Sequence, residues 1–216
     1  MKPGALLAVA LVAALAGRAR ASEALSTPDA EAAVESTRLP TEPRGVTVRV
    51  TKGAEGFVIE GRSRLRATAA VAWDVLTDYD DIDRFVSSMR ESRVTGRGSD
   101  YLLVEQVAVG RLLFFSRRMT TVLRVHEEPP GLIRFEDVLG RDFDRYRGEW
   151  KIVDGGDQIE ISYRLTARPS FAIPDVVARG SFQRTVRSLI SEVGAEIERR
   201  AAAPRSGVAC GVVPAR

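Results

Sequence analysis

Residues 93–168 alternate apolar and polar side chains almost without a break, which is the period of strands with one buried face. Three glycine-led dipeptides, Gly110-Arg111, Gly140-Arg141 and Gly155-Gly156, divide this stretch into runs. Each dipeptide fits a two-residue hairpin loop that begins with glycine. The sequence therefore predicts a meander of antiparallel strands, and no other feature constrains the fold as strongly.

A two-residue loop also fixes which residues face each other across a hairpin. The second loop puts Phe135 opposite Tyr146, and the third puts Gly148 opposite Tyr163. These two loops independently place one set of residues on a single apolar face: Ile133, Phe135, Tyr146, Gly148, Trp150, Ile152, Ile159, Ile161, Tyr163 and Leu165. The opposite face carries arginine, glutamate and lysine, which suit water.

The first loop has a consequence for one charged residue. A loop at Gly110-Arg111 pairs Val104 with Arg117 and Gln106 with Phe115, so that Arg117 and Gln106 lie on the apolar side. An unpaired charge in such a place is costly. Arg117 is therefore predicted either to be redirected by a β-bulge or to meet a polar group inside the protein.

Strand and helix signals precede the meander. Residues 45–50 and 56–66 alternate like half-buried strands, either as a hairpin or as one strand broken at Gly53. Thr68 is predicted to cap a short helix, because threonine accepts hydrogen bonds at helix starts. A second short helix is predicted around residues 82–86.

A long amphipathic helix is predicted after Pro174, ending near Arg200. Apolar residues follow one helical stripe: Phe182, Val186, Leu189, Ile190, Val193 and Ile197. Charged residues are predicted outside this stripe or at its margin: Arg184, Arg187, Glu192, Glu196 and Arg199. We expect this helix to cover the apolar face of the sheet.

The chain ends indicate segments outside the folded domain. Residues 1–21 combine Lys2, an apolar run and the ending Ala19-Arg20-Ala21, which is typical of a cleaved secretory signal peptide. An uncleaved membrane anchor or a buried core helix is the alternative. Residues 22–44 are rich in Ser, Thr, Pro and Glu and are predicted to be a flexible spacer, and residues 201–216 a disordered tail.

The charge balance changes once the leader is set apart. The full chain has a formal net charge of +3, and the leader holds three basic residues and no acidic ones, which leaves +3 − 3 = 0. A neutral domain with interspersed charges has no long-range attraction for nucleic acid. Cys210 is the single cysteine and cannot form an intrachain disulfide. Together with the leader, this predicts export to the periplasm or cell envelope.

The acidic stretch at residues 74–83 contains five aspartates and raises the question of a metal site. A calcium loop starting at Asp78 needs glycine at its sixth position and glutamate at its twelfth, where this chain has aspartate and methionine. The aspartates are predicted instead to face water or to cap helices, with Asp80 or Asp81 capping the second helix. His126, the single histidine, is predicted to be exposed at a strand end, so neither a zinc site nor a nucleophilic triad is assembled. No catalytic residue, metal or cofactor is predicted.

Several motifs resemble the START/polyketide cyclase (SRPBCC) superfamily. AAVAWDVLTDYDDIDRFVSSMRESRV, residues 69–94, is similar to the opening motif of its coenzyme Q-binding-protein-like START branch, with Ala72 replacing the first valine of that motif. EEPPGLIRFEDVLG (127–140), the Gly-x-Trp strand at residues 148–150 and the segment 163–174 continue the likeness. The resemblance covers about residues 45–200.

The resemblance implies an α+β helix-grip fold, in which a curved antiparallel sheet wraps around the long C-terminal helix and two short helices follow the first strand. It also implies a cavity for a lipid, a quinone or another apolar molecule, with no cofactor. A glycine opposite Tyr163 is consistent with such a space. The expected ligand-binding residues are Leu102, Val104, Phe115, Arg117, Met119, Phe135, Tyr146, Gly148, Trp150, Tyr163, Phe182 and Val186.

The expected function is non-catalytic binding or transport of that molecule by a monomer, with possible transient membrane contact and no nucleic-acid partner. The alternative is an aromatase/cyclase-type enzyme acting on a polyketide-like substrate, with a tyrosine or Asp137 as acid or base. The predicted leader argues against this alternative, since polyketide intermediates are normally tethered to cytoplasmic carrier proteins. A third hypothesis is an interaction module without a cavity, which a fully packed apolar face would indicate.

Overall fold

The computed structural model of the protein describes residues 45–112 and 115–203, with the side chains of residues 111, 112 and 115 excepted. The predicted signal peptide, the predicted spacer, Cys210 and nearly all of the predicted tail lie outside these residues.

Eight strands and three helices make up the described part of the chain. They are β1 (Thr47–Gly53), β2 (Gly56–Leu65), α1 (Ala69–Leu76), α2 (Ile82–Phe85), β3 (Met89–Arg97), β4 (Leu102–Leu112), β5 (Phe115–Glu128), β6 (Leu132–Asp137), β7 (Phe143–Asp154), β8 (Ile159–Pro169) and α3 (Asp175–Ala202). The strands form one antiparallel sheet in the order β1-β2-β8-β7-β6-β5-β4-β3. Helix α3 contacts β1 and β2 near one edge and β4 near the other, so the sheet curves around it. The predicted helix-grip fold is confirmed.

The elements before the meander follow the sequence signals. β1 and β2 form a hairpin, with Gly53 opposite Gly56, rather than one broken strand. Thr68 caps α1 as predicted, because its hydroxyl accepts a hydrogen bond from the Val71 amide at 3.4 Å. Asp81 occupies the cap position of α2 but makes no hydrogen bond there through its side chain.

The apolar face of the meander is confirmed, but its predicted strand pairings are wrong. Four residues, not two, connect β7 to β8, and the Gly155 amide donates to the Gln158 carbonyl at 2.9 Å. Tyr163 therefore faces Trp150, and Gly148 faces Leu165. The predicted pairing of Gly148 with Tyr163 is therefore wrong.

The other two loops also differ from the prediction, because one is longer and the other comes later in the chain. Five residues connect β6 to β7, so Phe135 faces Gly148 instead of Tyr146. Gly110 lies within β4, opposite Arg117, and the last pair of this hairpin is Leu112 with Phe115, so the loop comes three residues later than predicted. Each correction moves the partner by an even number of residues. Since side chains alternate with period two, the partners change while the faces do not.

Helix α3 packs its predicted stripe against the inner face of the sheet. Val186, Ile190, Val193 and Ile197 are buried, and Phe182 and Leu189 are half-buried. The helix approaches β2 closely at Gly61, where a Cβ atom would lie 2.2 Å from Cδ1 of Ile190. None of the helices in the described ranges has both the length and the apolar character to cross a membrane.

Glu196, predicted outside the apolar stripe of α3 or at its margin, lies at the margin and is buried. It is 9% exposed and binds Arg199 at 2.6 Å and Arg200 at 2.7 Å. Arg200 continues to Asp78 at 2.8 Å, which connects the end of α1 to α3. The hydrogen bond from Arg199 is the largest cause that lowers the pKa of Glu196 from 4.5 to about 2. Glu196 therefore stays ionised at a buried position of α3, because two guanidinium groups pair with its carboxylate.

This arrangement makes stability depend on pH. Because the pKa of Glu196 is depressed in the folded state, its contribution is complete above pH 4.5 and is lost as the pH falls toward about 2. We expect Glu196→Gln to lower the free energy of unfolding at pH 7 by about 1–3 kcal/mol. Urea unfolding between pH 7 and pH 2.5 checks this, since the difference between wild type and variant should shrink toward the acid end. A difference that stays constant with pH contradicts the assignment.

Candidate functional site

The space between the inner face of the sheet and α3 contains two adjoining chambers. The first chamber, about 140 Å³, is lined mainly by apolar residues of β4, β5, the β8–α3 connection and α3. The second chamber, about 100 Å³, is lined by α1, α2, the central strands and α3. Both chambers are bounded by Met89, Gln106, Tyr146, Tyr163 and Leu189. The apolar face is thus not fully packed, which disfavours an interaction module without a cavity.

An ion pair lies at the wall of the first chamber. Arg117 binds Asp142 at 3.1 Å, and its guanidinium lies 4.2 Å from the ring centre of Phe171. Burial raises the pKa of Asp142, but hydrogen bonds from the Thr120 amide and from Arg117 outweigh it, so that the pKa is lowered overall. Of the two predicted outcomes, Arg117 meets a polar group, the buried Asp142, although its own side chain is 42% exposed. Its charge is compensated, and its planar group still lines the chamber.

Two tyrosines stand where the chambers meet. The hydroxyls of Tyr146 and Tyr163 interact with each other, and burial is the largest cause that raises the pKa of both phenols. Phe135 stacks on Tyr163 with a centroid distance of 6.0 Å, and Trp150 lies 4.6 Å from the same ring. These contacts fix the rings in place. A single hydrogen bond between two protonated phenols leaves one O–H group free, so this pair can donate a hydrogen bond toward a bound molecule.

The second chamber has polar groups at its margin as well. The Tyr79 hydroxyl donates to Glu127 at 2.8 Å, and burial is the largest cause that raises the pKa of this phenol. Gln106 donates to the Ser92 hydroxyl at 3.3 Å. Each of these polar groups has a partner within the protein. The walls between them are aliphatic and aromatic, which suits an apolar guest.

Most of the predicted ligand-binding residues line one of the chambers. The first chamber includes Arg117, Met119, Tyr146, Tyr163, Phe182 and Val186. The second includes Val104, Phe135, Tyr146, Trp150 and Tyr163. Leu102, which pairs with Val125, lines neither chamber, and the side chain of Phe115 lies outside the described part. For the whole predicted set, a role in ligand binding stays a prediction.

Gly148 differs from its expected role. It does not widen the cavity, because a Cβ atom there would lie 2.3 Å from the Arg164 carbonyl oxygen and 2.7 Å from Cζ of Phe135. The space in front of Gly148 is already occupied by the Phe135 ring. Gly148 therefore allows strand and ring to approach closely and lines neither chamber.

Several residues of the site were not predicted from the sequence. Phe171 and Ile173 lie between two prolines, in a segment that reads only as a break between β8 and α3. Met89 lies at the boundary of both chambers, and Asp142 directly follows the predicted Gly140-Arg141 loop, where nothing indicates burial. The apolar side chains at 171 and 173, next to the helix start, were the available signal for this missed wall.

Three aspartates of the acidic stretch, Asp78, Asp80 and Asp81, have structural partners. Asp80 accepts a hydrogen bond from the Val94 amide at 2.8 Å, and Asp81 binds Arg84 at 2.9 Å. The prediction that the side chain of Asp80 or Asp81 caps α2 is therefore wrong. The Asp80 carboxylate binds the backbone of β3 instead. Within the described residues, no group of three or more His, Cys, Asp or Glu side chains is arranged to hold a metal ion.

His126 and Asp137 lie away from the chambers. Nδ1 of His126 is 3.0 Å from the Asp100 carbonyl oxygen, at a half-exposed position in β5. The Asp137 carboxylate accepts from the amides of Val122, Leu139 and Gly140 at 3.0–3.1 Å. Asp137 therefore organises the β6–β7 connection, and its oxygens are directed to backbone amides rather than to a cavity.

Comparisons with known proteins agree with this architecture. Residues 65–193, more than half of the chain, match the family described as polyketide cyclase/dehydrase and lipid transport. None of the curated proteins matches the chain in sequence.

Three solved structures illustrate the similarity in fold. A STAR-related lipid transfer protein from Xanthomonas axonopodis is 20% identical, with a TM-score of 0.55 over 70% of this chain and 92% of that one. The Zhui aromatase/cyclase from a Streptomyces species is 17% identical, with a TM-score of 0.55 over 68% and 96%. Human StAR-related lipid transfer protein 5 is 11% identical, with a TM-score of 0.58 over 72% and 83%. At these identities the likeness concerns the fold.

Proposed function

Because this chain belongs to the polyketide cyclase/dehydrase and lipid transport family, we propose that it binds and carries a hydrophobic small molecule, such as a lipid or a quinone. The observation that carries the proposal is the pair of adjoining apolar chambers between sheet and α3. A chain that only needed a stable core would fill this space, because unfilled apolar volume costs stability. Retention of the chambers is explained if a guest fills them.

The polar groups of the chambers suit orientation of the guest. Arg117 keeps its charge neutralised by Asp142 and offers its remaining N–H groups and its planar face. The phenol of Tyr146 remains protonated at neutral pH, because its pKa is raised. Arg117 and the Tyr146–Tyr163 pair can therefore donate hydrogen bonds to an oxygen atom of the guest. A few polar anchors in an apolar wall are typical of small-molecule sites.

The enzymatic alternative is an aromatase/cyclase-type reaction. Its support is the similar fold of the Streptomyces aromatase/cyclase and the presence of tyrosines in the chambers. A protonated phenol with a raised pKa acts as a proton donor and not as a base. Asp137, the other candidate for acid or base, is held by three backbone amides. Binding and transport therefore explain the site with fewer requirements.

The predicted leader supports a proposal about the place of action. We propose that the chain is exported and acts as a monomeric carrier in the periplasm or cell envelope. The support is the basic and apolar segment at residues 1–21, with its small-residue ending. A carrier in an aqueous compartment between membranes needs to shield its guest from water, which two apolar chambers do.

Native mass spectrometry of the purified full chain tests the proposed function. We expect a species heavier than the protein alone, whose extra mass is released into organic solvent, together with saturable binding of Nile red, a neutral apolar dye. Absence of both a bound molecule and dye binding would overturn the proposal. Turnover of a polyketide-like substrate would favour the enzymatic alternative.

A further inference from the structure

A polar pocket opens beside the first chamber and is called the vestibule here. It has a volume of about 420 Å³ and is lined by Ser87, Ser88, Arg90, Val109, Arg184, Thr185 and Ser188. Three of these residues, Ser88, Val109 and Thr185, also line the first chamber. The vestibule and the apolar chamber are therefore neighbours across shared walls. Their chemistry is opposite, since one is polar and basic and the other apolar.

The charge of the vestibule is not neutralised from within the protein. Among residues 45–112 and 115–203, neither Arg90 nor Arg184 has a carboxylate within 4.0 Å. The acidic residue that contacts the lining is Glu192, which accepts from the Ser87 amide and hydroxyl and from the Ser188 hydroxyl at 2.6–2.9 Å. Two cations and one engaged carboxylate leave a positive balance.

The uncompensated charge of the vestibule differs from the compensated charge at the wall of the first chamber. In the chamber, Arg117 is compensated by the buried Asp142, so that wall offers hydrogen bonds without net charge. An anion drawn fully into the chamber would lose its hydration without gaining a free counter-charge. In the vestibule both arginines are exposed to water and unpaired, so an anion keeps part of its hydration and gains charge-assisted hydrogen bonds.

We propose that the vestibule holds the anionic head group of an amphiphile whose apolar tail enters the first chamber. This inference rests on the proposed function, since it needs the chamber to accept the tail. Carboxylate and phosphate heads share the required chemistry, because both accept several hydrogen bonds from arginine guanidinium groups. Ser88 and Thr185 line both the vestibule and the first chamber, and each carries a hydroxyl with a proton to donate to the same anion.

Binding of three twelve-carbon amphiphiles to the full chain tests the inference: dodecanoate, dodecyl phosphate and dodecanol, each below its aggregation concentration. These probes share the tail and differ in the head. Titration calorimetry at low salt is expected to give at least about 10-fold tighter binding for one or both anions than for the alcohol. This preference should decrease at 0.5 M salt, because the arginines are exposed and screened.

The double variant Arg90→Gln/Arg184→Gln provides the second measurement. It is expected to lose about 10-fold in affinity for the preferred anion and to keep the wild-type affinity for dodecanol. The matched control is Arg97→Gln/Arg187→Gln, which removes the same two charges from the same two elements, β3 and α3. Neither control residue lines the vestibule or, among the described residues, has an ion-pair partner. The control variant should bind all three probes like wild type.

The outcomes separate the two proposals. If dodecanol binds and neither anion binds more tightly, the head-group inference is wrong and the carrier function stands. The head-group inference is also wrong if the double variant and the control lose affinity equally. If none of the three probes binds to wild type and Nile red does not bind either, the proposed function itself is overturned.

Discussion

Replacement of Ala108 by tryptophan is expected to lower the affinity of the chain for Nile red by about 100-fold or more, which corresponds to about 2.8 kcal/mol of binding free energy. Ala108 lies in β4, opposite Met89 and Met119, and its methyl group lines the first chamber. An indole at this position projects into the free space of about 140 Å³ instead of into packed atoms. The guest is therefore excluded, while the sheet retains its pairing. Fluorescence titration measures the affinity, and circular dichroism checks the fold.

The control for this experiment lies three residues away on the same strand. Glu105 is on the outer face of β4, where its ion pair with Arg93 is exposed and contributes only about 0–1 kcal/mol. Glu105→Trp adds a similar bulk to the solvent side and is expected to bind Nile red like wild type. If both variants bind equally well, the dye does not use the first chamber. If both lose binding, the effect comes from strand distortion and not from occupancy.

The strand faces were predictable because burial determines them locally. Ile159, Ile161 and Tyr163 are buried wherever the neighbouring strand starts, since alternate side chains of one strand share a face. The pairing depends instead on loop length, and the glycines did not mark it correctly. Gly156 has a φ of 85° and Gly140 a φ of 63°, so both are turn residues, but in loops of four and five residues. A glycine that needs positive φ indicates a turn without giving its length.

The binding site was only partly predictable, because its polar features depend on residues far apart in the sequence. Arg117 was recognised as a charge that needs an internal partner, but nothing local identified Asp142, 25 positions away, as that partner. The vestibule is also invisible in the sequence, since Arg90 and Arg184 come together only when α3 packs on β4, the strand next to β3. Apolar periodicity in the sequence predicts which residues form the walls of a cavity. Which charged residues lie close together becomes clear only from the assembled sheet and helix.

Gly148→Ala is expected to lower the free energy of unfolding by about 3 kcal/mol or more, because overpacking of a fixed core typically costs about 1–3 kcal/mol and here the obstacle is backbone. The new Cβ atom would lie 2.3 Å from the Arg164 carbonyl oxygen and 3.2 Å from Cα of Leu165, both in β8. It would also lie 2.7 Å from the Phe135 ring, which stacks on Tyr163 between the chambers. Relief requires β7 and β8 to separate. Urea unfolding followed by circular dichroism measures the loss.

Gly180→Ala is the matched control, since it adds the same methyl group to another glycine. Gly180 lies in α3 with no heavy atom within 4 Å of its added Cβ, among the described residues. Alanine is favoured over glycine inside a helix by about 0.5–1 kcal/mol, so this variant is expected to be slightly more stable than wild type. The two substitutions are expected to change the free energy of unfolding in opposite directions, because only the Cβ atom added at position 148 meets other atoms. A Gly148→Ala variant as stable as wild type would mean that β7 and β8 do not approach each other as closely as the strand register requires.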